Sequence, residues 1–199
     1  RQMCVYPALL KKTVERLVAD KIIDGDDEEG NISTLLEILD SSSKMDAVER
    51  HLVERTRSVP DTNTIVFCHF REEMDELNRR LKAHQLNSTI LDGRTKQAER
   101  HEILTASKPY DVLIIQIQAG CEGLNLQKYN DVCFISPHWN PAVEDQAIAR
   151  AWRIGQTRPV NVFRFEMESF TNEDQVTTLD SYCTEVQDGK REIASRLYT

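Results

Sequence analysis

From residue 64 onward the chain repeats one unit: a short β-branched, apolar run followed by a stretch with helical spacing. TIVFCHF at 64–70, STIL at 88–91, VLIIQIQ at 112–118, VCFIS at 132–136 and VNVFRF at 160–165 are the five runs. They are nearly continuous in apolar residues rather than alternating, the pattern of strands buried on both faces. Helical segments fall between most of them. Such strands predict a parallel sheet with helices on both faces, a doubly wound α/β domain. Just before the first run, SKMDAVERHLVERTRSV reads as an amphipathic helix capped by Ser43 and ended before Pro60.

The flanks differ from this centre. PALLKKTVERLVADKII, Pro7 to Ile23, has helical spacing with Pro7 in a first turn, and a short second helix is expected from about 33 to 40. Between them DGDDEEGN at 24–31 reads as a solvated acidic loop. The division expected is a helical appendage at 1–42, an α/β lobe at 43–166 and a helical segment at 167–199. The net charge of -8 argues at first against a nucleic-acid partner. Its distribution weakens that argument: residues 1–43 carry 5 basic and 9 acidic side chains, residues 166–199 carry 3 and 8, and the centre carries 17 and 16.

No apolar stretch approaches the roughly 18 residues of a membrane span, so no membrane partner is expected. The chain starts at Arg1 without a visible signal or transit peptide and reads as a piece of a longer protein. Five cysteines, at 4, 68, 121, 133 and 183, form no CxxC pair. That disfavours a disulfide framework or zinc ribbon, and no metal ligands are expected in this chain. Cys68 and Cys133 lie inside strand runs and read as small buried hydrophobes.

In a doubly wound sheet, ligands bind beyond the carboxyl ends of the strands, so the loops there are searched first. LDGRTKQAER turns at Asp92-Gly93, and Thr95 is placed to cap a helix whose start would suit an anion; a plain helix start explains it equally well. QAGCEGLNLQ at 118–127 has two glycines three apart, allowing close approach to a ligand or to a neighbouring helix. In SPHWNPAVEDQAIARAWRIGQ, Asn140 caps and Pro141 opens a helix expected to end near Gly155. Arg150 and Arg153 would share one face of its last turns, where a cation meets the helix's negative end. Trp152 reads as core packing and Trp139 as a partly exposed loop aromatic.

These segments together resemble the Swi/Snf (Snf-type) ATPases of helicase superfamily two. LIIQIQAGCEGLNLQ is similar to motif V and WNPAVEDQAIARAWRIGQTRPV to motif VI. NTIVFCHFREEMDEL resembles motif IV, LDGRTKQAER the segment after it, SSSKM the entry to the second motor lobe and RQMCVYPAL the element before that lobe. The repair-associated translocases are the most similar branch.

The resemblance implies a RecA-like second lobe of a DNA-dependent ATPase that tracks along double-stranded DNA. It implies that Arg150 and Arg153 reach the nucleotide phosphates as arginine fingers, with Gln146 one turn earlier orienting Arg150. Gly120 and Gly123 match the motif V glycines, and Glu122 is a nucleotide-side position often apolar in relatives. For DNA it implies His69, Arg71, Gly93, Arg94, Thr95, Asn125 and Trp139, mostly through the backbone. Where many relatives have Ser-Thr, this chain has Gln116-Ile117, which puts a DNA contact there in doubt.

ATP and magnesium would be held chiefly by a first RecA-like lobe, because nothing here reads as GxxxxGKT or a DEAH-like motif. This chain alone is therefore expected to be inactive. Chromatin or other DNA-bound proteins are further partners implied, with a nuclear location in a eukaryote and otherwise an intracellular or viral one. The segment after Phe165 resembles the family's brace helix, with Val176, Leu179, Tyr182 and Val186 at helical spacing. Two other readings stay open: an inert helicase-like lobe serving as a scaffold, and a small-molecule α/β enzyme using the QAGCEG loop.

Overall fold

The computed structural model describes residues 16, 19, 20, 44–120, 123–167 and 178–197. The helix expected at 7–23 (save residues 16, 19 and 20), the helix at 33–40, the acidic loop, the Ser43 cap, Glu122 and Val176 lie outside them. The elements are α1 (Lys44–Ser58), β1 (Thr64–Cys68), α2 (Arg71–Ala83), β2 (Ser88–Leu91), α3 (Gln97–Thr105), β3 (Val112–Gln116), the single turn α4 (Ile117–Gly120), β4 (Asp131–Phe134), α5 (Pro141–Ala151), β5 (Asn161–Arg164) and α6 (Leu179–Leu197).

All five apolar runs form strands of one parallel sheet ordered β2-β3-β1-β4-β5. Side-chain alternation divides the core in two. Val66, Cys68, Val112, Ile114 and Cys133 face α1 and α2, where they meet Val48, Leu52, Met74 and Leu77. Ile65, Phe67, Leu113, Ile115, Val132 and Phe134 face α3 and α5, against Ile103, Ala147 and Ala151. Central strands need apolar residues at every position because both faces are covered, and β1, at the centre, is buried throughout. Burial pushes the thiols of Cys68 and Cys133 up, so both stay protonated and behave as core hydrophobes. Among the described residues no helix is long and apolar enough to cross a membrane.

The strand order puts a switch point between β1 and β4: the chain leaves β1 toward one edge and β4 toward the other. α5 then runs back antiparallel to the strands, about 16 Å at 1.5 Å per residue. It carries the chain from the carboxyl edge of the sheet to the amino edge, where β5 begins beside Asp131.

α6 packs back on the carboxyl edge, but not by the expected apolar stripe. Its buried residues are Asp180, Cys183 and Gln187, whereas Tyr182 is 52% exposed. The surface it covers is rich in polar groups, so polar side chains make the contact. Asp180 pairs with Lys44 of α1, Cys183 Sγ lies 3.6 Å from the Pro137 carbonyl, and Gln187 Nε2 donates to Glu144 Oε1 at 2.7 Å.

On the outside of α2, Glu76 accepts from Arg79 at 2.7 and 2.9 Å and from Arg80 at 2.7 Å. The Arg79 guanidinium first, and Arg80 with it, hold the Glu76 carboxyl down from 4.5 to about 2. Because the folded value is depressed, this contribution to stability is fully present above the unfolded value of 4.5 and is lost as pH falls toward 2. Glu76→Gln is expected to make the stability curve shallower between those two pH values and to leave its shape above pH 5 unchanged. Urea unfolding of the chain across that range is the check, and parallel curves for parent and variant would contradict the assignment.

Candidate nucleotide and nucleic-acid surfaces

The residues singled out from sequence fall on two edges of the sheet. At the carboxyl edge the loop after β1 is closed by Glu73, fully buried, whose Oε2 accepts from the backbone N–H of His69 at 3.0 Å and of Phe70 at 3.2 Å. His69 Nε2 lies 3.2 Å from the Ser136 carbonyl, which makes that nitrogen the protonated donor, and its ring stacks on His138 at 5.6 Å and 9°. These two histidines mark the switch point. Arg71 is exposed in the first turn of α2.

The turn after β2 differs from expectation. Thr95 does not cap α3: the N-cap is Lys96 with no side-chain bond, and the Thr95 hydroxyl accepts from Asp92 N–H at 3.0 Å inside the turn. Arg94 is engaged with two carboxylates. Its Nε donates to buried Asp92 at 2.7 Å, and its two terminal nitrogens make a fork to Asp75 at 2.8 and 2.9 Å. The Arg94 hydrogen bond holds the Asp75 carboxyl below its ordinary range. Gly93 is exposed, with nothing within 4 Å of where a β-carbon would stand.

The loop after β4 is built around a residue the sequence reading passed over. Glu144, 0% exposed, accepts from His138 N–H at 2.7 Å, from Gln187 at 2.7 Å and from Arg164 Nε at 3.0 Å. A buried carboxylate needs this full set of donors. The available signal was its position: 144, 147 and 151 share the buried side of α5. Asn140 caps α5 as expected, accepting from Ala142 N–H at 3.2 Å, with Pro141 next. Trp139, 38% exposed, meets Tyr182 of α6 edge-on at 5.9 Å.

At the amino edge, α5 ends at Ala151 rather than near Gly155. Arg150 is therefore in its last turn, half-buried, while Arg153 lies beyond the helix in an exposed turn. The two do not share a helical face. Trp152 is 70% exposed instead of packed in the core, and Ile154 is 98% exposed. Helix geometry stops because the following residues are tied elsewhere: Gln156 Nε2 donates to the carbonyls of Gln127 at 3.0 Å and Tyr129 at 2.9 Å, with the Ala151 carbonyl at 3.5 Å. Gly155 sits at φ +101, a conformation that favours glycine.

The loop leaving β3 reaches the same place. Gly120 closes the turn α4, Gly123 has φ +59, and Asn125 is exposed with its Oδ1 accepting from Gln127 N–H at 3.4 Å. Leu126 N–H then donates to the carbonyl of Arg150 at 3.0 Å. Gln146 is exposed one turn before Arg150 in α5. Arg153 takes part in no ion pair among the described residues.

Residues 43–155, more than half of the chain, match the family described as the helicase conserved C-terminal domain. The chain is 32% identical over 161 residues to the DNA repair protein RAD5 of Candida albicans, covering 77% of this chain and 14% of that protein. It is 30% identical over 179 residues to the DNA excision repair protein ERCC-6-like of Danio rerio, covering 82% and 12%. With the helicase-like transcription factor of Homo sapiens the identity is 29% over 160 residues, 78% and 15%. The chain thus spans about one seventh of the length of these relatives. The crystal structure of the C-terminal part of the Fun30 ATPase domain superposes with a TM-score of 0.56 at 19% identity, covering 91% of this chain and 72% of that one, which supports the fold alone. The chain belongs to the helicase conserved C-terminal domain family, as a RecA-like second lobe of the Swi/Snf type, in the repair-associated branch.

Proposed function

We propose that the chain is the second motor lobe of an ATP-dependent double-stranded DNA translocase of repair or chromatin-remodelling type, with Arg150 and Arg153 acting on ATP held by a first RecA-like lobe. The observation that carries this is the placement of Arg153: exposed, in no ion pair among the described residues, and in a turn three residues after Arg150. A planar guanidinium presented in this way fits a phosphate, and phosphoryl transfer needs charge stabilisation more than covalent help from the protein. Gln146, Gly120, Glu122 and Gly123 are assigned to the same nucleotide side. Magnesium is assigned with ATP to the first lobe, because nothing in this sequence reads as GxxxxGKT or as a DEAH-like acidic motif.

The carboxyl edge is assigned to DNA, through His69, Arg71, Gly93, Arg94, Thr95 and Trp139, with Asn125 in the loop between the edges. Arg94 would have to exchange Asp75 for a phosphate, which two carboxylates already on the guanidinium make costly; in the same turn Arg94 N–H is held by Asp92 Oδ1 at 2.8 Å and Thr95 N–H by the Asp92 carbonyl at 3.2 Å. A DNA repair protein and a DNA excision repair protein among the relatives support DNA as the partner, and a nuclear location with it.

The test is phosphate release by the chain alone and by the complete protein, each with and without duplex DNA. Turnover stimulated by duplex is expected only of the complete protein, because this lobe supplies one wall of the site. In the complete protein, Arg94→Ala is expected to weaken DNA stimulation and to lower the slope of log affinity against log salt by about one. Turnover by the chain alone, or a complete protein indifferent to duplex, would refute the reading.

A further inference from the structure

We propose that Gln156 is the positioning residue for the arginine pair: its amide fastens the turn that carries Arg153 to the loop leaving β3, and so sets where both guanidinium groups stand. This inference rests on the assignment of Arg150 and Arg153 to the nucleotide.

The turn has no packing of its own to hold it. Trp152 is 70% and Ile154 98% exposed, so its two large apolar side chains bury little. Its position is set by hydrogen bonds, and these converge on one side chain. Gln156 Nε2 donates to the carbonyls of Gln127 and Tyr129, Oε1 accepts from Arg158 N–H at 3.0 Å, and its own backbone N–H donates to the Arg153 carbonyl at 2.9 Å. The amide can sit only one way round, since the opposite orientation would set an oxygen against two carbonyls.

Neighbouring groups reinforce the attachment. Leu126 N–H holds the Arg150 carbonyl, and the Arg158 guanidinium donates to the carbonyls of Asp61 and, at 2.7 Å, Lys128. At Gly155 a β-carbon would stand 2.4 Å from Gln127 Oε1, so the turn and the loop lie in close apposition. The backbones of both arginines are thus pinned to the segment 126–130, and a movement of that loop must be felt by both. A displacement near 1 Å of a group acting on a reacting phosphate costs about a hundredfold in rate.

Gln156→Met keeps the length of the side chain and removes its donors, and Gln156→Asn keeps the donors on a shorter arm. In the complete protein, Gln156→Met is expected to lower kcat for ATP about a hundredfold, with KM and DNA affinity within about threefold of the parent, and Gln156→Asn to fall between. Added to Arg153→Ala, Gln156→Met should cost clearly less than it does in the parent, because the part of its effect exerted through Arg153 is already lost and only the part through Arg150 remains. Hydrogen exchange gives a second readout independent of turnover: the amides of Leu126, Gln156 and Arg158 should exchange faster in Gln156→Met while those of β1, β3 and β4 keep their protection. Parental kcat in Gln156→Met beside an inactive Arg153→Ala, fully additive losses, or lost protection across the whole sheet in both Gln156 variants would overturn the inference. Normal turnover in Arg150→Ala and Arg153→Ala would instead refute the functional assignment on which it rests.

Discussion

Replacing Arg153 by alanine in the complete protein is expected to lower ATP turnover about a thousandfold, or about 4 kcal/mol in activation free energy, while thermal unfolding stays where it was. The two halves of that expectation come from different observations. The rate effect follows from a guanidinium acting on phosphate; the absence of a stability effect follows from an exposed side chain outside any ion pair among the described residues. A cation at a helix end contributes roughly 0.3 to 1 kcal/mol to stability, and from sequence that explanation competed for both arginines. The end of α5 at Ala151 removes Arg153 from it and leaves it for Arg150 alone. Arg150→Ala should therefore lower turnover and some stability together. Lysine at 153 should rescue poorly, because it keeps the charge without the planar fork. Steady-state turnover and DNA binding of Arg153→Ala, Arg153→Lys and Arg150→Ala are the measurements, and an Arg153→Ala protein within about twofold of parental turnover would return Arg153 to an ordinary surface residue.

The second large effect concerns stability. The side chains of Lys44 and Asp180 are 2% and 3% exposed and form an ion pair, which joins the first turn of α1 to α6. Lys44 Nζ also donates to Ser136 Oγ at 3.2 Å, and Asp180 accepts from Met167 N–H at 3.0 Å. Removing one member strands the other charge in a site shut off from water. Lys44→Ala is expected to cost about 3 to 5 kcal/mol in urea unfolding of the chain, read as a lower midpoint at unchanged slope. The double substitution Lys44→Ala with Asp180→Asn removes both charges and leaves an acceptor for Met167, so it should recover most of that loss. Equal losses in the single and double variants would mean that packing of the lysine stem, rather than the stranded carboxylate, sets the cost. A loss under about 1 kcal/mol for Lys44→Ala would mean that the pair is open to water.

The amino-acid sequence by itself determined the five strands, the helices α1, α2, α3 and α5, the parallel doubly wound class and the Asn140-Pro141 start of α5, whereas Ile117 and Gln118, which read as strand, belong to the turn α4. Each of these is written in local terms: apolar period, β-branching, a cap beside a proline. Tertiary structure decided the rest. The order β2-β3-β1-β4-β5 places His69 against His138, residues 69 positions apart in a pairing that no period announces. The engagement of Arg94 by Asp75, the polar stripe of α6 and the burial of Glu144 arise because distant donors and acceptors meet in space, and a hydrogen bond between such residues leaves no trace in either one's neighbourhood. The end of α5 is the clearest case. Locally, AIARAWRIG continues as helix to its glycine, but the Gln156 amide, held by the carbonyls of Gln127 and Tyr129, draws the chain away at Ala151 and leaves Trp152 and Arg153 exposed.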